Sequence, residues 1–291
     1  MLILISDAFD NSLPDRLSNF GEVTDDKSRI TEVMVVLIRS KTKVTREYID
    51  LAPNLKLVIR GGVGLDNVDL KYASEKGIEV HNTPSASAIA VAECAFTLMI
   101  GITNHIGRAD SSMRDGKWIK KELKRTELYR KTLGIIGLGR IGAELAKRVA
   151  AFGMTVIAYD PYVKDSNYAE MKVEMKEVLN ISDYVSLHLP LNDSTKGVIN
   201  TETLKEFKDG SFLINTGRGK TIIEEDVADA LQSGKLAGFG NDVWYSDPPE
   251  SNPFADLSNV LMMPHLGAST NENLFRIGEI VENIISEYLI D

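Results

Sequence analysis

Near its middle the chain carries Leu133-Gly134-Ile135-Ile136-Gly137-Leu138-Gly139-Arg140-Ile141-Gly142, a strand-like run that enters a G-x-G-x-x-G loop. A helix-compatible segment, Ala143–Phe152, follows the loop. In such a loop the first glycine permits a tight turn, the second lets the backbone approach a pyrophosphate, and the third lets helix and strand pack closely. Free N–H groups at the helix start favour a phosphate. The segment therefore predicts a dinucleotide site, the alternative being a glycine turn without a ligand.

A second predicted strand, Thr155–Tyr159, ends in Asp160, 18 residues after Gly142. A carboxylate at this place would accept hydrogen bonds from both hydroxyls of an adenosine ribose and would repel a 2′-phosphate. The sequence therefore predicts NAD rather than NADP. The alternative for Asp160 alone is an ordinary turn residue before Pro161.

Composition excludes several classes of protein. The chain has 291 residues, 33 Lys and Arg against 42 Asp and Glu, and a net charge of -9. This length favours two domains, and the negative charge argues against general binding to nucleic acid or anionic membranes. The single cysteine, Cys94, excludes an intrachain disulfide and a multi-cysteine zinc site. We expect no metal site.

Apolar, strand-like runs alternate with helix-compatible segments along the whole chain, which predicts βαβ units and parallel sheets. The predicted strands are Leu2–Ser6, Val33–Ile38, Leu57–Arg60, Glu79–His81, Leu133–Ile136, Thr155–Tyr159, Tyr184–His188, Ser211–Asn215, Ala237–Gly240 and Val260–Met263. The predicted helices are Thr45–Ala52, Leu70–Lys76, Ser87–Asn104, Ala143–Phe152 and Asn271–Leu289. Between them, Arg108–Arg130 is basic and is expected to be exposed. The N-terminus lacks the features of a signal peptide, so we expect a cytoplasmic protein.

Polar residues follow three of the later strands, at the sheet edge where doubly wound folds bind ligands. Arg218 lies between two glycines, and its guanidinium could bind a carboxylate and a carbonyl oxygen together. Asp242 and Asp247 follow the next strand, and His265 follows the last. A histidine beside a carboxylate makes a proton-transfer couple. Taken singly, Arg218 could be a surface arginine and His265 a structural histidine.

An earlier strand ends in a second glycine-rich loop, Arg60-Gly61-Gly62-Val63-Gly64-Leu65-Asp66. Consecutive N–H groups in such a loop can hold an anion, for example a carboxylate. The alternative is a turn that caps a helix beginning near Asp66.

These motifs together resemble the D-isomer-specific 2-hydroxyacid dehydrogenase family over essentially the whole chain. The motifs in the family's order are Arg60–Asp69, Asn82-Thr83-Pro84, Gly137–Gly142 with Asp160, His188-Leu189-Pro190-Leu191, Asn215–Gly219, Asp242–Pro248 and Pro264–Thr270. The 29 residues from Arg218 to Asp247 and the 18 from Asp247 to His265 are similar to the spacing of the family's catalytic arginine, acid and histidine.

The resemblance implies reversible hydride transfer between NAD(H) and a 2-hydroxy/2-oxo acid. His265 would give a proton to the carbonyl oxygen, and Asp247 would orient His265 and favour its charged form. Arg218 would bind the carboxylate and polarise the carbonyl. The implied substrate-binding residues are Arg60, Gly62, Val63 and Gly64. The implied cofactor-binding residues are Thr83, Gly137, Gly139, Arg140, Ile141, Gly142, Asp160, Leu189, Thr216, Gly217, Asp242, Gly267 and Ala268.

The resemblance also implies an architecture of two Rossmann-like, doubly wound parallel-sheet domains. The NAD-binding domain, 93–268, would be inserted into a substrate-binding domain formed by 1–92 and 269–291. We expect a homodimer through the cofactor domain, using Ser87–Asn104 and Arg108–Trp118. The alternative is that these segments pack only within one chain.

Within the family, the chain most resembles 3-phosphoglycerate dehydrogenases, because Arg60 stands where those enzymes place an arginine for the substrate phosphate. The expected substrate pair is 3-phosphoglycerate and 3-phosphohydroxypyruvate, the first step of serine biosynthesis. Glyoxylate and hydroxypyruvate reductases share much of the pattern and remain an alternative. An NAD-responsive binding protein without turnover is another alternative. Formate oxidation is a further alternative, for which an uncharged amide residue would be expected in place of Asp247.

The chain departs from the family pattern at three positions. Asp247 replaces the usual glutamate and is one methylene shorter. Gly217 replaces a frequent alanine. Asn241 stands before Asp242 where an apolar residue is usual, which weakens the assignment to one substrate.

Overall fold

The computed structural model describes residues 1–290, which form two compact units. The first unit comprises Met1–Ala88 and the chain from Ala268 onward, and the second comprises Ile89–Gly267. The division falls where a 16-residue helix begins, at Ala88. The domain bounds expected from the resemblance, near 92 and 269, stay predictions. Each unit contains a parallel sheet, so the expected pair of parallel-sheet α/β domains is confirmed.

The first unit contains five strands: β1 (Leu2–Ile5), β2 (Glu22–Thr24), β3 (Val35–Ile38), β4 (Leu57–Arg60) and β5 (Glu79–Asn82). They form one parallel sheet in the order β2-β1-β3-β4-β5, which is the flavodoxin-like doubly wound order. β1, β3 and β4 are buried runs of Val, Ile and Leu, as expected for parallel strands covered on both faces.

Helices cover this sheet. They are α1 (Leu13–Leu17), α2 (Arg46–Leu51), α3 (Leu70–Glu75), a 3₁₀ helix (Lys27–Glu32) and the C-terminal helix (Asn271–Tyr288). In the C-terminal helix, Ile277, Val281 and Ile285 are fully buried in the apolar cluster of the first unit. Arg16 donates to both carboxylate oxygens of Glu282, at 2.7 and 2.9 Å, and so ties α1 to this helix.

The second unit contains seven strands: β6 (Thr132–Ile136), β7 (Thr155–Tyr159), β8 (Glu170–Met171), β9 (Tyr184–Leu187), β10 (Ser211–Asn215), β11 (Leu236–Asn241) and β12 (Val260–Met262). They form one parallel sheet in the order β12-β11-β10-β9-β6-β7-β8. The chain order reverses between β6 and β9, so the carboxyl ends of these two strands form the switch point where doubly wound sheets bind ligands.

The helices of the second unit are α4 (Ala88–Thr103), α5 (Ile106–Arg114), α6 (Arg140–Ala150), α7 (Met175–Ile181), α8 (Thr201–Lys205) and α9 (Glu224–Gln232), with a 3₁₀ helix at Gly219–Thr221. α4 packs closely on the sheet through Leu98, since a Cβ built on Gly240 would lie 2.9 Å from the Leu98 Cβ. Leu98 and Met99 are fully buried.

The structure adds elements that the sequence pattern does not predict. β2 and β8 have three and two residues, lie at sheet edges and include the charged Glu22 and Glu170, so they lack an apolar run. The basic segment Arg108–Arg130, expected only to be exposed, begins within α5. Among residues 1–290 no single helix is long and apolar enough to cross a membrane, and only α4 with α5, a pair bent by 61°, passes that test by length and composition.

Candidate active site

The glycine loop joins β6 to α6 as predicted from the sequence. Gly137 has a φ of 93°, and a Cβ there would lie 2.7 Å from the His188 carbonyl oxygen. A Cβ on Gly142 would lie 2.6 Å from the Gly137 carbonyl oxygen. These two glycines are therefore required by the packing of the protein itself.

Gly139 is different, because a Cβ built there would meet no atom within 4 Å. Gly139 is the N-cap of α6, and the N–H groups of Arg140 and Ile141 lie in the first turn. Open space before a helix N-terminus, reached past a residue without a side chain, suits a pyrophosphate. The residues present therefore fit NAD at this loop.

Asp160 follows β7 and holds the loop in place. Its Oδ2 accepts a hydrogen bond from the Leu138 N–H at 2.9 Å. Its Oδ1 accepts from the N–H groups of Tyr162 and Val163, at 2.8 and 3.1 Å. A carboxylate has about four lone-pair sites, so a ribose would share Asp160 with the backbone. The predicted ribose contact stays a prediction, and the bracing of the loop is a role that the sequence did not reveal.

Other residues expected at the cofactor follow β9 and β10. The Thr216 hydroxyl is buried and has no hydrogen-bond partner among the described residues. A Cβ on Gly217 would lie 3.2 Å from the Leu187 carbonyl oxygen and 3.3 Å from that of Leu189, which is tighter than an ordinary contact. Glycine in place of the family's frequent alanine thus lets the chain pass close to the end of β9.

Asp242, at the end of β11, is 1% exposed. Its two carboxylate oxygens accept hydrogen bonds from the N–H groups of Leu266 and Gly267, at 2.6 and 2.7 Å. Burial raises the pKa of Asp242, and these two N–H groups offset part of the rise. Asp242 and Gly267 are both expected at the cofactor, and the structure brings them into direct contact.

His265 and Asp247 are brought together, as the sequence predicts. His265 Nδ1 and Asp247 Oδ2 are hydrogen-bonded, and the two side chains are 35% and 42% exposed. His265 has a φ of 57°, in the left-handed region that non-glycine residues seldom adopt. Such backbone conformations occur often at functional sites.

Arg218 lies just after β10, the strand beside β11, and its backbone is fixed on two sides. Its carbonyl oxygen accepts from Asn215 Nδ2 at 3.1 Å and from Thr221 Oγ1 at 2.6 Å. Its Nη1 donates to the Gly217 carbonyl oxygen at 2.8 Å. Arg218, Asp247 and His265 thus all follow neighbouring strands at one end of one sheet.

The loop after β4, in the first unit, differs from the expectation. The Gly62 N–H, expected to bind a substrate carboxylate, donates to Thr83 Oγ1 at 2.8 Å, and the Thr83 N–H donates back to the Gly62 carbonyl oxygen at 3.0 Å. A Cβ on Gly62 would lie 1.7 Å from Arg60 Nη1, so the guanidinium lies over the loop. A carboxylate at Gly62 would have to share its N–H with Thr83. Val63 and Gly64 follow in the same loop, and their roles stay predictions.

Two residues expected at the cofactor belong to the first unit. Thr83 is fully buried, and its hydroxyl is used by Gly62 as described above. The Ala268 carbonyl oxygen accepts hydrogen bonds from Arg39 Nη2 and Asn273 Nδ2, at 3.2 and 2.7 Å. These contacts are internal to the unit, so any contact of Thr83 or Ala268 with the cofactor stays a prediction.

The sequence analysis places His188, which follows β9 beside the glycine loop, in a family motif but predicts no role for it. Ser186 Oγ lies 3.0 Å from its Nε2, and its Nδ1 is buried without a hydrogen-bond partner among the described residues. Burial lowers the pKa of His188 to about 4. The sequence feature that could have indicated a role for His188 is its position as a polar residue at the end of β9, the strand next to β6. In residues 1–290 no group of three or more His, Cys, Asp or Glu could hold a metal ion.

The chain is similar to known proteins in sequence and in fold. Residues 96–267 match the family described as D-isomer specific 2-hydroxyacid dehydrogenase, NAD binding domain. The chain is 47% identical to Hydroxypyruvate reductase of Thermotoga maritima over 89% of this chain and 86% of that protein. It is 40% identical to D-3-phosphoglycerate dehydrogenase of Methanocaldococcus jannaschii over 99% of this chain but only 57% of that protein.

A crystal structure of D-Lactate dehydrogenase from Aquifex aeolicus, complexed with NAD and lactic acid, has a similar fold. Its TM-score is 0.87 at 28% identity, over 99% of this chain and 95% of that one. The NAD-binding domain, the NAD in this relative and the open space at Gly139 together establish NAD as the cofactor. The chain therefore belongs to the D-isomer specific 2-hydroxyacid dehydrogenases, a family of NAD-dependent oxidoreductases.

Proposed function

We propose that this chain catalyses reversible hydride transfer between NAD(H) and a 2-hydroxy/2-oxo acid, with 3-phosphohydroxypyruvate as the oxo acid. The observation that carries the proposal is the hydrogen bond between His265 Nδ1 and Asp247 Oδ2, at the end of the sheet that bears the glycine loop. Bound NADH supplies the hydride to the carbonyl carbon.

His265 is the acid–base group of this proposal. Because Asp247 binds Nδ1, Nε2 is the atom that gives a proton to the carbonyl oxygen during reduction and takes it back during oxidation. Asp247 holds the ring in one orientation and stabilises the imidazolium. Its shorter side chain still reaches His265, so the aspartate keeps the function of the usual glutamate.

Arg218 binds the substrate in this proposal. Its planar guanidinium can donate to a carboxylate oxygen and to the neighbouring carbonyl oxygen at the same time. It therefore stabilises the negative charge that develops on the carbonyl oxygen. The two hydrogen bonds to the Arg218 carbonyl oxygen keep the base of this long side chain in place.

Arg60 is the argument for a phosphorylated substrate. Its guanidinium lies beside Gly62 in the glycine loop. Val63 and Gly64 follow Gly62 in the chain, and we propose their N–H groups as donors to the substrate. A guanidinium beside backbone N–H groups is a favourable environment for a phosphate. The cofactor roles of Thr83, Leu189, Thr216 and Ala268 belong to the same proposal.

A second candidate, hydroxypyruvate, is favoured by the comparisons. The hydroxypyruvate reductase of Thermotoga maritima matches over 86% of its length at 47% identity. The phosphoglycerate dehydrogenase of Methanocaldococcus jannaschii matches over only 57% of its length, so this chain spans little more than half of that relative. The two acids differ only by the phosphate, so Arg60 is the residue that separates the candidates.

The test is NADH consumption with 3-phosphohydroxypyruvate, hydroxypyruvate, glyoxylate and pyruvate, with NADPH run beside NADH. We expect NADH to be preferred and the phosphorylated acid to have the highest kcat/KM. Preference for hydroxypyruvate or glyoxylate would establish the reductase instead. Tight NADH binding without turnover of any acid would favour a binding protein.

His265→Ala tests the mechanism in the same assay. We expect turnover to fall roughly 100-fold or more, with the NADH Kd nearly unchanged, because the proton donor is lost while the cofactor site is not. His81→Ala is the matched control, since His81 is exposed on β5 of the first unit. Equal rates for both variants would remove His265 from the mechanism.

We also propose a homodimer that forms through α5 and the segment after it. Ile106, Met113 and Trp118 are 50%, 57% and 76% exposed, which is unusual for large apolar side chains so close together. Light scattering on the eluted protein should give twice the mass of one chain, and Met113→Glu should shift it toward one. A monomeric wild type would show that these side chains have no such role. The cytoplasmic location stays a prediction.

A further inference from the structure

Trp244 connects the segment that carries Asp247 to the strand that leads to His265. Its indole Nε1–H donates to the Met263 carbonyl oxygen at 3.0 Å. Met263 directly follows β12 and precedes His265 by two residues. Trp244 precedes Asp247 by three residues. This one hydrogen bond therefore joins the segment that carries Asp247 to the segment that carries His265.

The main chain of Trp244 also contacts the segment that carries Arg218. A Cβ built on Gly219 would lie 2.1 Å from the Trp244 carbonyl carbon and oxygen, so only glycine allows this approach. Gly219 directly follows Arg218. Trp244 therefore contacts the segments that carry Arg218 and His265 and lies in the segment that carries Asp247, while its ring packs against the apolar cluster of the second unit.

Tyr245 adds a weaker connection to the same segment. Its hydroxyl donates to the carbonyl oxygen of the fully buried Ile222, at 3.1 Å. The Tyr245 ring is 39% exposed, so water competes for this bond. Burial raises the pKa of Glu224, which is 6% exposed, and the Tyr245 backbone N–H offsets part of that rise.

The acid–base pair needs such support. His265 and Asp247 are both more than a third exposed, and a single ion pair between exposed groups holds its partners weakly. The indole bond comes from a partly buried ring that packs against the apolar cluster of the second unit, so it fixes the distance between the two segments more firmly. Small displacements of catalytic groups reduce rates strongly.

We propose that Trp244 is a positioning residue, which aligns His265 and Asp247 with Arg218 through its indole N–H and its contact with Gly219. The proposal rests on the proposed function, since it assigns Trp244 to the same reaction. Trp244 touches neither reacting atom in this account, and it acts by holding the segments that carry them.

Trp244→Phe is the decisive variant, because it keeps an aromatic ring in the cluster and removes the N–H donor together with the five-membered ring of the indole. We expect kcat to fall about 10-fold, with KM and the NADH Kd within about 2-fold of the wild type. Tyr245→Phe removes the partly exposed hydroxyl, and we expect a fall of about 3-fold. Trp244→Ala removes the ring as well. If Trp244→Phe has the wild-type kcat and Trp244→Ala does not, the ring acts by packing alone and the proposal is wrong.

A measurement without substrate separates this proposal from the proposed function. In protein labelled with ¹⁵N-histidine, the imidazole resonances of His265, assigned with His265→Gln, report its contact with Asp247. We expect these resonances to move in Trp244→Phe at constant pH. If they move while the wild type turns over none of the acids, the proposed function fails and the positioning stands. If they stay in place and kcat is unchanged, the positioning fails and the function stands.

Discussion

Two glycine-rich loops follow buried parallel strands, one in each unit, and their glycines have different surroundings. After β6, a Cβ on Gly139 would meet nothing within 4 Å. After β4, a Cβ on Gly62 would lie 1.7 Å from Arg60 Nη1, and the Gly62 N–H already donates to Thr83. The first loop leaves open space before a helix N-terminus, whereas the second is covered by its own arginine. Similar sequence patterns thus produce one open loop and one covered loop.

The difference between the two loops shows which of their glycines can be assigned to a ligand. Gly137 and Gly142 are explained by close contacts within the protein, and Gly139 is not. A glycine that the protein's own packing does not require is the one to assign to a ligand. By the same criterion Gly62 is explained internally, so the ligand-binding role of the second loop depends on Arg60 and on the N–H groups that follow.

The largest expected effect concerns His188, whose carbonyl oxygen lies close to Gly137. Its pKa is about 4 in the folded protein and near 6.5 when unfolded, so between these values the unfolded chain binds more protons. The part of the free energy of unfolding that depends on His188 is therefore greatest above pH 6.5. It falls as the pH drops toward 4, by at most about 3 kcal/mol. Urea unfolding of the wild type and His188→Leu at several pH values should show this decline only in the wild type. The same decline in both proteins would assign it to other groups.

The next effect tests the open loop directly. In Gly139→Val the new side chain occupies the space proposed for the pyrophosphate, so we expect the NADH Kd to rise roughly 100-fold, about 2.8 kcal/mol. The free energy of unfolding of the apoprotein should change much less than the NADH affinity, because a Cβ at this position meets no protein atom within 4 Å. Fluorescence titration with NADH and urea unfolding measure the two quantities. Unchanged NADH affinity would show that the open space at Gly139 does not hold the pyrophosphate.

Gly142→Ala should give the opposite result. Its Cβ would lie 2.6 Å from the Gly137 carbonyl oxygen and 3.1 Å from Ile135 Cγ2, so the start of α6 must shift. We expect about 1–3 kcal/mol less stability, as for overpacked sites in general. Thermal unfolding without cofactor measures it, with Gly139→Ala as the control, because Gly139 also has a negative φ and its Cβ would meet no atom within 4 Å. If Gly142→Ala is no less stable than this control, the packing argument fails.

The smallest expected effect tests whether Arg60, in the covered loop, binds the substrate phosphate. We expect Arg60→Met to raise the KM for 3-phosphohydroxypyruvate about 10-fold while the KM for hydroxypyruvate changes little, because only the first acid carries a phosphate for the guanidinium. Steady-state kinetics with both acids give the ratio. Equal changes for the two acids would make Arg60 a structural arginine that covers Gly62.

Local patterns in the sequence predict much of the fold and part of the site. The alternation of apolar runs predicts the parallel sheets, and the spacing of the glycines predicts the turn from β6 into α6. The pairing of His265 with Asp247 was anticipated from the resemblance to a family, since nothing local brings residues 18 positions apart together.

What the sequence did not reveal depends on contacts between distant residues. Gly62 and Thr83 are 21 positions apart, and their mutual hydrogen bonds follow from the pairing of β4 with β5. The Trp244 bond to Met263 follows from the pairing of β11 with β12. Edge strands as short as β2 and β8 bury too little apolar surface to leave a pattern.

The C-terminal helix has a consequence for the nascent chain. The second unit is one continuous stretch of the chain, Ile89–Gly267, whereas the first unit is formed from two separate stretches. The sheet of the first unit is synthesised first, yet Ile277, Val281 and Ile285, which cover part of it, emerge last. At 5–20 residues per second this delay is roughly 10 to 40 s. During that interval an apolar surface is open to aggregation, so the yield of folded protein should depend on chaperones and on temperature.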